Sequence, residues 1–163
     1  MRNAMSAMLL ISLVAGCASV MEQRIISDFA DALSEDNEQA LRFATSTRFE
    51  EKALRSETAF SDLEIVDLPE GKLEIVETKE QDDGSRLVVV KDEAEEKFQI
   101  RLVRDSEKSR WVVDDVFFRQ QKRGTRVTKS TTEVMDLLLS LREFLSTWES
   151  DDRTAILASA SAD

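Results

Sequence analysis

Histidine and tyrosine are absent from this sequence, and cysteine and proline occur once each. Without histidine the commonest general base is missing, so Ser-His-Asp and Cys-His catalysis and histidine-based metal sites are excluded. Without tyrosine there is no phenolic donor for a developing oxyanion. A single cysteine allows no intramolecular disulfide. Basic residues are in deficit: 22 Lys and Arg stand against 33 Asp and Glu, a net charge of −11. That balance argues against nucleic-acid binding, which draws its affinity from neutralised phosphates. It favours solubility instead.

What is present describes a folded chain. Its 163 residues are 42% hydrophobic and 34% charged, enough to build one core and too apolar for a disordered polymer. The first residues, MRNAMSAMLLISLVAGCASV, place Arg2 before a short apolar stretch from Ala7 to Val14. That stretch is well below the roughly 20 residues a bilayer span needs, so it reads as a secretory leader. Its end, Val14-Ala15-Gly16-Cys17, resembles the lipobox of bacterial lipoproteins. The resemblance implies cleavage between Gly16 and Cys17 and a diacylglycerol on the Cys17 thiol. Residues 17–21 would then be a short tether to the membrane. Ala18 and Ser19 stand where Asp resembles an inner-membrane retention signal, which implies an outer-membrane address facing the periplasm.

The mature chain opens with helices. Ile25, Ile26, Phe29, Ala32 and Leu33 form one helical stripe. Asp36 is the expected N-cap of a second helix carrying Ala40, Leu41 and Ala44, and a third is expected around Phe49, Ala53 and Leu54. After Phe60 the pattern changes to strands. A turn holding Pro69 precedes expected strands at 72–80, 86–91, 97–104 and 110–120. Asp83-Gly84 supplies the positive φ of a hairpin turn. Asp82-Asp83-Gly84 lacks both the alternating acids and the distal Glu of a calcium loop. Short connections predict an antiparallel meander.

Helices followed by such a sheet resemble the nuclear transport factor 2-like superfamily. The residues that carry the likeness are Phe29-x-x-Ala32-Leu33-x-x-Asp36 and the closing strand from Arg110 to Val116, over residues 22–120. The resemblance implies an α+β class with N-terminal helices packed on a curved antiparallel sheet, cone-like, followed by a C-terminal helical segment. It also implies a cone mouth able to take a small-molecule ligand. Asp114 and Asp115 are the candidate cavity carboxylates. As neighbours on a strand they are expected to point to opposite faces. No tyrosine accompanies them, so no residue is assigned a catalytic role, and no metal or cofactor is implied.

Arg119, Lys122, Arg123, Arg126 and Lys129 form a basic run without an acid, read as a solvated linker over 121–129. Ser130 and Glu133 then match a capping box. The helix it opens carries Val134, Leu138, Leu141, Leu145 and Trp148. Leu138, Leu141, Leu145 and Trp148 form the candidate interaction surface, for a protein partner or a second copy of the chain through 130–163. Asp151 is the expected cap of a last helix. Shifted by 115 residues, 26–46 falls on 141–161 without a gap: Phe29 meets Phe144, Asp36 meets Asp151, Ala40 meets Ala155, Leu41 meets Ile156. Two amphipathic helices joined by an Asp generate such coincidences; the alternative is the start of a second, partial copy. These readings make the chain an envelope-tethered binding or interaction module, with an isomerase-like or cyclase-like enzyme as the competing reading.

Overall fold

The computed structural model describes residues 20–66, 68–122 and 125–149; the side chains of 120–126 and of 149 are outside the description. The expected leader, the Gly16–Cys17 junction and the helix expected after Asp151 all lie outside the described residues.

Helix α1 covers residues 20–34 and buries Ile26, Phe29, Ala30, Ala32 and Leu33, as its periodicity predicts. Its end differs from the expectation. Asp36 sits at φ 50°, its N–H donates to the Leu33 carbonyl at 3.2 Å, and the Asn37 N–H donates to the Ala32 carbonyl at 3.0 Å. This is a Schellman closure with Asp36 as the left-handed residue. A residue committed to that conformation cannot adopt the extended backbone of an N-cap. The cap of α2 (Glu38–Ala44) is therefore Asn37, whose side chain accepts from the Ala40 N–H at 3.0 Å. Ser46 caps α3 (Thr47–Ala53) in the same way, accepting from the Phe49 N–H at 3.0 Å. A short α4 (Ala59–Leu63), not foreseen, buries Ala59 and Leu63.

The sheet is an antiparallel meander of β1 (Glu74–Glu80), β2 (Arg86–Lys91), β3 (Lys97–Asp105), β4 (Arg110–Lys122) and β5 (Thr125–Ser130), in the order β1-β2-β3-β4-β5. Gly84, at φ +77°, closes the β1–β2 hairpin as expected. The expected linker over 121–129 is not a linker. Its described residues, 121–122 and 125–129, finish β4 and belong to β5, paired from Phe117↔Ser130 to Lys122↔Thr125. Charge misled the reading there: a strand at the edge of a sheet tolerates cations, because its free side faces water.

α5 (Thr131–Glu149) follows β5 without an intervening loop and packs against α3, α4, β4 and β5. The described part of the expected C-terminal segment thus belongs to the same core as α1–α4. That core lies between the helices and one face of the sheet. Phe29 and Phe49 meet edge to face with ring centroids 6.3 Å apart, and Leu41, Leu54, Val88, Val90, Ile100 and Leu102 close around them. Each such side chain contributes about 1.5–3 kcal/mol by leaving water. The α+β class is as expected.

Candidate functional site

Asp114 and Asp115 lie where β4 breaks its alternation. Arg101 pairs with Asp115 and Leu102 with Val113, leaving Asp114 as an extra residue. Such a bulge shifts the strand's phase by one residue. Trp111 and Val113 face the helices before it, and Val116 and Phe118 do so after it, while Phe117 lines the opposite face with Gln99. On an unbroken strand Trp111, Val113 and Phe117 would share a face.

The expectation that the two carboxylates split between inside and outside is overturned by the same bulge. Asp114 is 4% exposed and Asp115 is 2% exposed. Asp114 accepts from the Ser46 hydroxyl at 2.7 Å and from the Arg48 guanidinium at 2.8 Å. Asp115 accepts from the Val116 N–H at 2.9 Å, the Ser130 hydroxyl at 2.6 Å, the Thr132 N–H at 3.2 Å and the Thr132 hydroxyl at 2.9 Å. Arg48 bridges the pair, 3.3 Å from the Thr132 hydroxyl and 3.9 Å from Asp115.

The two serines explain the arrangement. Ser46 caps α3, and Ser130 accepts from the Glu133 N–H at 3.2 Å, so that half of the expected capping box is present at the start of α5. β5 begins to pair with β4 only at Phe117. On the stretch before it, the Ser46 N–H donates to the Val113 carbonyl at 2.8 Å and the Thr131 hydroxyl to the Val116 carbonyl at 2.8 Å. Two helix N-termini therefore fill the strand edge that β5 leaves open, and negative charge at helix N-termini is favourable. A general base needs an oxygen free to meet its substrate. All four carboxylate oxygens here already accept hydrogen bonds, so the pair fastens helices to the sheet.

The β3–β4 turn extends this fastening. Asp105 accepts from the N–H groups of Thr47 at 2.7 Å, Glu107 at 2.9 Å and Lys108 at 2.9 Å. Burial by itself raises its pKa; the backbone donors Lys108, Thr47 and Glu107, with the Thr47 hydroxyl, outweigh that and leave it lowered. Lys108 donates to the last carbonyls of α2, reaching Thr45 at 2.6 Å, and also meets Glu50. Asp136 of α5 is likewise lowered. Burial opposes the shift, while the Arg55 and Lys52 side chains prevail.

The candidate interaction surface divides. Leu141, Leu145 and Trp148 are exposed (Trp148 by 62%), as is Leu137, whereas Leu138 is half-buried against the core. The face of α5 that enters the core is instead Thr131, Met135 and Leu139, continued by Arg142, which pairs with Asp62 at 2.8 Å. The apolar stripe read from the sequence runs beside this one, because leucines occupy both faces of the helix.

On the sheet face away from the helices, Leu87, Gln99, Arg101, Phe117 and Thr128 line an open depression of about 450 Å³. Among the described residues, no group of acidic side chains is placed to hold a metal ion, and no helix is long and apolar enough to cross a membrane. Ser46, Arg48 and Thr132 are missed by sequence reasoning. Beyond the two carboxylates, only the capping pattern at Ser130 signalled any of this network, since partners separated by 15 to 84 residues leave no local trace. No family model matches the chain, and no curated protein or solved structure shows significant similarity to it.

Proposed function

We propose that this chain is a bacterial envelope lipoprotein, held through lipid on Cys17 at the periplasmic face of the outer membrane. Its domain is a non-catalytic protein-interaction module of the nuclear transport factor 2-like kind. The observation that carries the interaction reading is the exposed distal face of α5, where Leu141, Leu145 and Trp148 stand in water on one side of a helix whose other side is core. Contiguous exposed apolar patches often mark interaction sites. The enzyme reading has less support. The space between helices and sheet is filled by Phe29, Phe49, Ile100 and Leu102, and the carboxylates are engaged. The order of helices before a meandering sheet, and a depression lined jointly by Glu77 of β1 and Thr128 of β5, support a curved, cone-like sheet.

Two measurements test the reading. Cys17→Ser is expected to leave an unprocessed precursor without acyl label; full processing and membrane attachment of this variant would sink the lipoprotein assignment. A photo-crosslinking residue at position 145 is expected to give a discrete envelope adduct that Leu141→Glu abolishes. Adducts no different from those formed at position 80, an exposed polar site on β1, would remove the interaction role.

A further inference from the structure

The face of the sheet turned away from the helices carries charge that the fold leaves unmatched. Val88 and Val90 of β2 and Phe98, Ile100 and Leu102 of β3 enter the core. Leu87, Val89 and Lys91, with Lys97, Gln99 and Arg101, therefore look the other way. Lys91 stands directly opposite Lys97, and like charges so placed repel. Lys91 is relieved by Glu74 at 3.2 Å and Glu95 at 3.0 Å. Lys97 has no ion-pair partner among the described residues, and neither has Arg119, which lines the same recess. Glu77, at that end too, is engaged by Lys79 at 3.0 Å. Two spare cations thus converge in a chain of net charge −11.

The recess continues past them. Gln99, Phe117 and Thr128 line both the cationic end and the depression of about 450 Å³ that reaches Leu87 and Ser85. Its floor is apolar: Val89, Phe117 and Leu87 are half-buried there. Along β2 the rows of Lys91 and Leu87 are four residues, about 13 Å, apart. At the far end Ser85 is 4% exposed. Its hydroxyl lies near Asp83 and, with the Ser85 N–H, lowers that carboxylate's pKa, yet it makes no hydrogen bond of ordinary length and angle. Asp83 is already held by the Ser85 N–H at 2.9 Å and by Arg101 at 2.6 Å. Buried hydroxyls are rarely left without a partner.

We propose that this trough binds an anionic amphiphile with an acyl-like body. Its carboxylate or phosphate sits between Lys97 and Arg119, its apolar body runs along Val89, Phe117 and Leu87, and a second polar group meets Ser85. The volume suits a small molecule, and a concave floor does not fit the flat surface of a bilayer. The site lies across the sheet from the packed core and apart from α5, so it adds a ligand to the interaction reading and does not rest on it.

The test uses the chain from Ala18 onward, which contains every described element, titrated calorimetrically with ω-hydroxydodecanoate below its micellar concentration. One saturable site is expected. Reversing both exposed cations together, Lys97→Glu with Arg119→Glu, should weaken binding about tenfold, and the corresponding diol, which lacks the acid, should bind the unaltered chain about tenfold more weakly. Ser85→Ala should weaken the acid about threefold. The absence of saturable binding, or equal affinity for acid and diol, overturns the proposal. Binding that survives the charge reversal and is lost in Leu141→Glu also overturns it, and places the probe on α5. The crosslinking test of partner binding is decided separately from each of these outcomes.

Discussion

Ser46 donates its hydroxyl proton to Asp114 at 2.7 Å across 68 residues of sequence, while the same oxygen accepts the Phe49 N–H at 3.0 Å. One atom thus ties the start of α3 to the bulge of β4. Asp115 and Ser130 repeat the relationship at 2.6 Å for α5. Asp115→Ala leaves four donors without their acceptor and is expected to cost about 3–5 kcal/mol, since breaking a buried charged network is expensive. Asp114→Ala, which strands two donors, should cost less, about 2–3 kcal/mol. Urea unfolding measures both. Losses under about 1 kcal/mol would mean that the network does not fasten the helices.

Acid should act through Asp105. Its folded pKa lies below the ordinary value of 3.8. The ionised form therefore stabilises the fold at every pH above that unfolded value. This contribution is lost as the pH falls through the lowered folded value, so stability declines with acid below about pH 4. Asp105→Asn should flatten that part of the stability-versus-pH curve. An unchanged slope would assign the acid sensitivity to other carboxylates, of which Asp136 is the next to examine.

The two faces of α5 should respond oppositely to substitution. Met135 and Leu139 are 0% and 1% exposed, and truncating either to alanine is expected to cost about 2–5 kcal/mol. Leu141→Glu and Leu145→Glu on the exposed face should change stability by less than about 0.5 kcal/mol in a chain ending at Glu149. Thermal melts of the four variants separate the faces. A large loss at Leu145 would place that side chain in the core.

Asp36 holds a left-handed backbone at φ 50°, a conformation that glycine adopts without the crowding a Cβ introduces. Asp36→Gly is therefore expected to stabilise the chain by up to about 1 kcal/mol. Asn37→Ala, which removes the true cap, should destabilise it by about 1 kcal/mol. If the two effects are reversed, Asp36 and not Asn37 is the cap.

The sequence by itself determined the elements whose partners are local. Ile26, Phe29 and Leu33 repeat at helical spacing and are buried on one face of α1. Phe98, Ile100 and Leu102 alternate and are buried on one face of β3. Asp83-Gly84 marks its hairpin, and Ser130-x-x-Glu133 marks the start of α5. In each case the physical cause, a periodicity or a backbone preference, acts within a few residues. Tertiary structure alone decided the rest. β5 exists because the far half of β4 offers it a ladder of partners, which its own cations do not announce. Asp114 and Asp115 are buried together because the bulge forms against β3 and because two helix N-termini, 84 residues apart in the chain, arrive at the edge of one strand. Which leucines of α5 meet the core was likewise set by where α3 and β4 stand, since the helix carries apolar residues on more than one side.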